Sequence, residues 1–386
     1  MEETSRRRFL GTTASIAGAT GLSYPGTAAA KPMQPSVDLL RVGIVALGKD
    51  SHYYIWGPTI NPTDEDVWPV GRTTGMRITH CWDRDPQNAE SFAHKYKCEA
   101  VSNYYDMVDK VDAMIFAGFR EVYWWPQLTK PYLEAGIPCF INRPFAYSMK
   151  DAKYMVELAR QNNTPILCTD EREYIKEAIA ARCKVRELLK EGKTIICADS
   201  DNAAVEYPQH GVHGLYFLLA IFGLDVERVS YQADGWWKEN TPTSKKQTWG
   251  QLALQYRTVT IDDAPVQTRP IVVAQQQMGT HKSNAGIQIF YSGEGRWEAS
   301  NIHVGEERMN RLYHLFFPTV LAMQRMFRTH QMQWSYDYIL KKTQIYLSGF
   351  KSHLEHDGAM VRVDDLPDDW TAPNPYPDWI DEKIFR

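Results

Sequence analysis

The chain has 386 residues, of which 44% are hydrophobic and 23% charged, with a formal net charge of -4. That composition describes a globular protein with room for two domains of ordinary size and a sizeable core. Lys and Arg are scattered, so no basic face points to nucleic acid or an anionic membrane, and nucleic acid is disfavoured as a partner.

Residues 5–10 read Ser-Arg-Arg-Arg-Phe-Leu, a weakly apolar Gly/Ala/Thr-rich run follows to Leu22, and Ala28-Ala29-Ala30 supplies a small-residue cleavage signal. That order resembles a bacterial twin-arginine export signal over residues 1–30, with Arg6-Arg7 as the pair, and predicts a periplasmic or secreted protein. The pathway exports folded proteins, so a cofactor can be loaded before export. No other stretch approaches the roughly 20 apolar residues needed to span a bilayer, and no stable membrane association is expected. The six cysteines lack C-x-x-C spacing, which argues against a zinc site. Mostly buried free thiols are expected, although export would permit a disulfide.

From Leu39 onward, strand and helix signals alternate. Leu40 to Ala46 reads as a first strand and Met76 to Trp82 as a second. A helix follows through Ala89, Phe92, Ala93 and Tyr96. Between them, Gly57 to Gly75 interrupts the first crossover with Pro, Asp and Trp, longer than a typical connection. Ala113–Ala117 is the next strand, followed by a helix bearing Leu128, Tyr132 and Leu133. Ala135-Gly136 reads as its stop, and Cys139-Phe140-Ile141 as a short buried strand. A helix over Met149–Arg160 and a strand at Pro165–Cys168 complete the pattern. Such alternation predicts an α/β fold, a doubly wound parallel Rossmann sheet over residues 37–169. Beyond Thr169 a helix over Tyr174–Leu189, a strand around Ile195–Ala198 and a helix over His213–Phe222 are expected. Strands follow at Val226–Ala233, Ile271–Gln276, Ile287–Tyr291 and Arg296–Ala299, with a polar loop over Glu239–Gly250. Consecutive strands predict a large open mixed or antiparallel sheet. Helices over Met309–Arg328 and Tyr336–His353 close an α+β substrate and oligomerisation domain of residues 170–365, with 366–386 as a tail. The doublets Trp124-Trp125 and Trp236-Trp237 could stack on sugar faces or serve only as core.

Several motifs carry chemistry. Ala46-Leu47-Gly48-Lys49-Asp50-Ser51-His52 stands where a dinucleotide-binding strand would carry G-x-G-x-x-G. It keeps only the middle glycine, whose missing side chain lets a pyrophosphate approach the backbone. Ala46 and Ser51 are small substitutes. Asp83 at the end of the second strand can bind both ribose hydroxyls and favours NAD, whereas Arg84 could receive the 2′-phosphate of NADP. Gly48 and Asp83 are further apart than the usual roughly 20 residues, and the Gly57–Gly75 segment accounts for the excess. Asn142-Arg143-Pro144 sits at a strand's carboxyl end, where open parallel sheets bind ligands, so Arg143 is a candidate for chemistry as well as for a plain salt bridge. In Glu206-Tyr207-Pro208-Gln209-His210-Gly211-Val212-His213, both histidines lie near a helix amino terminus, which favours the neutral imidazole and hence a general base. A metal reading of His210 and His213 with Glu206 lacks a further Cys or His pair, so no metal is expected.

With these residues in order, roughly 37 to 365 resemble the Gfo/Idh/MocA family of glucose–fructose oxidoreductase and inositol dehydrogenase. The likeness rests on Asp83-Arg84-Asp85-Pro86 with Phe92-Ala93 after it, Leu133-Glu134-Ala135-Gly136 leading into Asn142-Arg143-Pro144, and His213 before an apolar helix. It implies bound NAD(H) or NADP(H), oxidation of a sugar or polyol hydroxyl, and a homo-oligomer through the open sheet. The family's E-K-P is here Asn142-Arg143-Pro144, and its D-x-G-x-H is Gln209-His210-Gly211-Val212-His213. Trp124-Trp125 stands about where a cofactor-side histidine is common. Arginine stays protonated and shuttles no proton, so Arg143 polarises or binds an oxygen. His213 becomes the expected base, with Tyr207 and His210 behind it. Three functions remain open: an exported oxidoreductase, a redox-neutral glycoside-cleaving enzyme with a recycled cofactor, and a non-catalytic sugar-binding protein of the same fold.

Overall fold

The computed structural model describes residues 39–48, 51–63, 75–202, 206–278, 285–300 and 308–376. The expected signal over residues 1–30, the loop residues Lys49 and Asp50, and residues 64–74 of the first crossover lie outside them. The first sheet contains β1 (Leu40–Val45), β2 (Met76–Trp82), β3 (Glu99–Ala100), β4 (Ala113–Phe116), β5 (Cys139–Ile141) and β6 (Ile166–Leu167), in the order β3-β2-β1-β4-β5-β6. All neighbours are parallel. Such strands are covered on both faces, which is why β4 and β5 are continuous apolar runs with every residue buried. The winding reverses between β1 and β4, and the crevice outside their carboxyl ends is the switch point of an open α/β sheet.

The covering helices start and stop on local chemistry. These are α1 (Tyr53–Ile60), α2 (Pro86–Tyr96), α3 (Trp125–Glu134) and α4 (Met149–Gln161). Asp85 caps α2 by accepting from Gln87 N, with Pro86 in the first turn, and Ser148 caps α4 by accepting from Asp151 N. Past α3, Gly136 takes φ +72°, the left-handed stop that the Ala135-Gly136 pair predicted. The helix α1, which carries Pro58, occupies part of the segment expected to be an interruption.

The remaining elements are α5 (Lys176–Lys190), β7 (Ile195–Asn202), α6 (Val212–Phe222), β8 (Val226–Ala233), β9 (Trp249–Tyr256), β10 (Ile271–Met278), β11 (Ala285–Tyr291), β12 (Gly295–Ser300), α7 (Arg308–Thr329), α8 (Tyr336–His356) and β13 (Val361–Arg362). The second sheet runs β12-β11-β7-β10-β9-β8-β13 and is mixed, with β7 and β10 parallel and its other pairs antiparallel. Within β9, Gly250, Leu252, Leu254 and Tyr256 are buried and alternate with Trp249, Gln251, Ala253 and Gln255. The expected polar loop therefore ends where β9 begins. Helix α7 packs back onto the first sheet, where Phe316, Val320, Met323 and Phe327 share a core with Val42, Ile44, Ile78 and Phe92. Residue Ala372 of the tail likewise donates its N–H to Tyr147 O at 2.9 Å.

Trp125, Trp236 and Trp237 are buried core rings, and Trp124 is partly buried against the same core. All six cysteines are free, with Cys81, Cys139 and Cys168 buried, Cys98 and Cys197 partly so, and Cys183 exposed. Among the described residues no helix is long and apolar enough to cross a membrane.

Candidate functional site

Asn142 and Arg143 follow β5 at the carboxyl edge of the first sheet. Asn142 ties this turn to β4: its N–H donates to Phe116 O at 3.0 Å and its Nδ2 to Ala117 O at 2.9 Å. Its Oδ1 accepts from Arg143 N at 3.1 Å, which fixes where the arginine leaves the strand. The Arg143 side chain is buried to 1% exposure, lies over the Phe119 ring at 4.8 Å, and donates through Nε to Asp170 Oδ2 at 3.1 Å. Its Nη2 faces His213 Nε2 at 2.8 Å and His52 Nε2 at 3.4 Å.

Asp170 follows β6 after Cys168 and Thr169 and opens a short 3-10 turn over Glu171–Glu173. Its Oδ1 accepts from Arg172 N at 2.9 Å, and its own N–H donates to Glu173 Oε1 at 2.9 Å, a reciprocal capping box. That leaves Oδ2 for Arg143 and for His213 Nδ1, which lies 2.5 Å away. Lys342 on α8 neutralises Glu173 at 2.9 Å. His213 enters from the first turn of α6, after a π-helical turn over Tyr207–Gly211. Glu171 Oε1 completes the cluster, 3.3 Å from His213 Nδ1 and 3.9 Å from Arg143 Nη2.

Burial and charge set the protonation states. Burial lowers the His213 pKa, and Arg143 and Arg172 reinforce this against the opposing pull of Asp170, so the ring is neutral. The hydrogen bonds require the same state: Nδ1 donates to Asp170, and Nε2 accepts from Arg143 and carries no proton. Burial alone would raise Asp170, but His213 and Arg143 beside it hold the carboxylate well below its usual range. Burial, with Asp170 next to it, pushes the Glu171 carboxyl up to about 8. His52 is lowered by burial and then by Arg143. The neutral histidine expected from a helix terminus is therefore present, but desolvation and two arginines cause it.

The cluster gathers Arg143, His213, Asn142 and His52, and His210 stands beside it with its ring 5.7 Å from that of His213. His210 is bonded through Nδ1 to Glu206 rather than to the arginine. Tyr207 is fully buried, stacked 4.2 Å from Tyr231 and 5.3 Å from Tyr346, and its hydroxyl donates to Tyr346 O at 3.1 Å. Burial also raises its pKa, so Tyr207 is a core tyrosine and not the reserve base expected of it. On the cofactor side, Ala46 adopts φ +67° where the first glycine of the fingerprint would stand. Ser51 Oγ donates to Ala46 O at 2.5 Å and accepts from Tyr53 N at 3.2 Å, bracing the turn. Asp83 crosses from β2 to the same turn, accepting from Leu47 N at 2.5 Å through Oδ2 and from Asp85 N at 2.8 Å through Oδ1. Arg84 beside it is exposed.

Asp170, Glu171 and His213 each offer a ligand atom within 4.8 Å of the others, a spacing a metal ion could use. The Arg143 guanidinium already fills that role, bonding both Asp170 Oδ2 and His213 Nε2, and a second cation would face Arg143 and Arg172 together.

Residues 40–169 match the sequence model described as the oxidoreductase family with an NAD-binding Rossmann fold, Gfo/Idh/MocA. The matched span is that of the first sheet and its covering helices. No curated protein matches the chain. Among solved structures, it is similar to a myo-inositol 2-dehydrogenase from Lactobacillus plantarum, with TM-score 0.65 and 13% identity over 84% of this chain and 99% of that one. It is also similar to a scyllo-inositol dehydrogenase from Lactobacillus casei with bound NAD(H) and scyllo-inositol, with TM-score 0.64 and 14% identity over 85% and 100%. A third is an oxidoreductase from Agrobacterium radiobacter in complex with NAD+, L-tartaric acid and magnesium, with TM-score 0.60 and 12% identity over 84% and 98%. At these identities the likeness concerns the fold.

The residues present fit the nucleotide the family binds. Among the described residues a Cβ built on Gly48 would meet only Asn88 Nδ2, at 3.6 Å, which is the room a pyrophosphate would need beside this backbone. Asp83 stands at the ribose end. Two amides at the start of α1 are already used, His52 N on Ala117 O and Tyr53 N on Ser51 Oγ.

Sequence reasoning missed Asp170, Glu171 and Arg172. The signal was present: Asp170-Glu171-Arg172-Glu173 places four charges in a row directly after a buried strand, at the edge where open sheets bind ligands.

Proposed function

We propose that the protein is an exported NAD(P)-dependent oxidoreductase acting on a sugar or polyol hydroxyl at the carboxyl ends of β1, β4, β5 and β6. The observation that carries this reading is the Arg143 Nη2 to His213 Nε2 bond of 2.8 Å beside the NAD-binding turn. A bound nicotinamide ring supplies the hydride acceptor. A substrate oxygen that takes over the hydrogen bond from Arg143 releases the lone pair on His213 Nε2, so clamping the hydroxyl and exposing its base are one event. The proton then rests on Nε2, and Asp170 at Nδ1 holds the ring in place and stabilises its charged form. Arg143 takes no proton and acts on the developing negative charge of the oxygen. Asn142 and His52 keep the arginine aimed.

NAD is favoured over NADP by Asp83, with Arg84 as the opposing feature. The neighbour crystallised with NAD(H) and scyllo-inositol supports a polyol substrate. Export rests on Arg6-Arg7 and Ala28-Ala29-Ala30. A homo-oligomer through the second sheet is supported by the resemblance and by Trp249 and Val272, which lie exposed on β9 and β10.

A second reading is favoured by Glu171. A buried carboxyl held protonated near pH 7 beside His213 is a proton donor for a leaving group, as redox-neutral glycoside cleavage with a recycled cofactor would need. One experiment separates the two. The purified protein is incubated with NAD+ and a panel of polyols and glycosides, and absorbance at the NADH band is followed together with product analysis. Stoichiometric NADH supports the oxidoreductase, cleavage without net NADH supports the second reading, and neither product defeats both.

A further inference from the structure

Three buried nitrogens in this crevice have no partner among the described residues: Arg143 Nη1, Arg172 Nε and Arg172 Nη1. The Gln209 amide, one helical turn before His213, is also buried with neither its oxygen nor its nitrogen bonded. Arg172 is 4% exposed, and no described carboxylate lies within ion-pair distance of its guanidinium. A buried cation without hydrogen bonds is costly, and native structures fill such sites with a ligand or solvent.

Charge decides the sign of that ligand. Asp170 offsets Arg143 and Glu173 offsets Lys342. Glu171, with a carboxyl raised to about 8, is mostly neutral at pH 7, which leaves Arg172 as one uncompensated positive charge. One negative charge balances it, whereas a phosphate dianion would reverse the imbalance. The fork of a guanidinium also matches the two coplanar oxygens of a carboxylate. Nor is the pyrophosphate of the cofactor the missing partner. It would sit at the Gly48 turn after β1, and β6, which Arg172 follows, is three strands away, roughly 14 Å at about 4.8 Å per strand.

We infer that the substrate of this crevice is an acidic sugar or polyol, an aldonate or uronate, whose carboxylate is received by Arg172 and the free Nη1 of Arg143. The inference rests on the crevice being the substrate site. The carboxylate anchors one end of the molecule on the turn after β6, and a hydroxyl at the other end reaches His213.

Isothermal titration of the nucleotide-loaded protein at pH 7 tests this with two matched pairs, D-gluconate against D-glucitol and D-glucuronate against D-glucose. At least one acid should bind about tenfold or more tightly than its neutral partner, and Arg172→Gln should bring that pair within about threefold while keeping its bound nucleotide. Arg172→Lys, which keeps the charge and loses the fork, should fall between. The inference is overturned if each acid binds no better than its neutral partner, if neither acid binds, or if the preference survives in Arg172→Gln. With the protein loaded with NADH no hydride can leave the hydroxyl, so binding is read without turnover and the two readings fail separately. Gluconate bound without NADH formation would defeat the redox function alone, and equal oxidation of acid and neutral sugar would defeat the carboxylate site alone.

Discussion

Among the described residues the space at Gly48 after β1 is open, whereas the cluster after β5 and β6 is filled with charge. At Gly48 the cradle depends on a side chain that is absent, and its supporting bonds from Asp83 and Ser51 go to backbone. In the cluster, Asp170 Oδ2 alone serves Arg143 Nε and His213 Nδ1, and both are buried with it. An open cradle tolerates many changes around it and fails when it is filled. A buried charge network fails when one of its charged members is removed, because the partners are left uncompensated.

Asp170→Asn should therefore have the largest effect. It keeps the shape but removes the charge that Arg143 and His213 share, and breaking a buried pair costs about 3–5 kcal/mol. Urea unfolding should show that loss together with abolished turnover. A shift below about 1 kcal/mol would mean that the network is not the structural unit described. His213→Ala should leave the fold largely intact and lower the rate on a confirmed substrate by roughly 10²–10⁴, the range of a lost general base. Arg143→Ala measured alongside should lower the rate at every pH and move the profile's His213 limb to higher pH, since the cation that helps to depress the His213 pKa is gone. Near-normal activity in both variants would place the reaction elsewhere.

Gly48→Val probes the other region. A branched side chain over the turn should lower the nucleotide retained after purification, with affinity reduced about tenfold or about 1.4 kcal/mol, while the charge cluster and its stability stay as they were. Mass spectrometry of the released small molecules reads the outcome, and undiminished nucleotide would show that the cradle is misplaced.

The two regions also differed in how much of them could be read from the chain. Strands such as Ala113–Phe116 are apolar throughout because both faces are covered, and that alternation with helices gave the parallel sheet directly. Strand β9 escaped although Gln251 to Tyr256 alternates, because Trp249-Gly250 at its start reads, with the polar run before it, as loop. Gly48, Asp83, Asn142, Arg143 and His213 stood in recognisable local patterns. Asp170 did not, since its partners lie 27 and 43 residues away and a run of four charges reads as a solvated loop until the fold buries it. Tyr207 misled for the same reason, because proximity in sequence to His213 said nothing about the stack with Tyr231 and Tyr346.

Glu171→Gln should have the smallest functional effect at neutral pH, because the wild-type carboxyl is already mostly protonated and glutamine mimics that form. The groups facing it are Asp170 and Arg172 on its own turn, Arg143 after β5 and His213 on α6. The folded-state value near 8 lies above the ordinary 4.5 of an unfolded glutamate, so between these values the folded protein holds the proton more tightly. Stability from this group is accordingly complete below about pH 4.5 and declines as pH rises toward 8, with a slope of at most about 1.4 kcal/mol per pH unit. The glutamine variant lacks that slope. Its melting temperature should gain on the wild type from pH 5 to pH 8 and hold a constant lead above. Its affinity for a carboxylate probe should likewise persist above pH 8, where ionised Glu171 repels the anion in the wild type. Parallel melting curves for both proteins across this range would show that Glu171 is ionised throughout, with Arg172 as its counter-charge, and the crevice would then carry no uncompensated cation to offer a substrate.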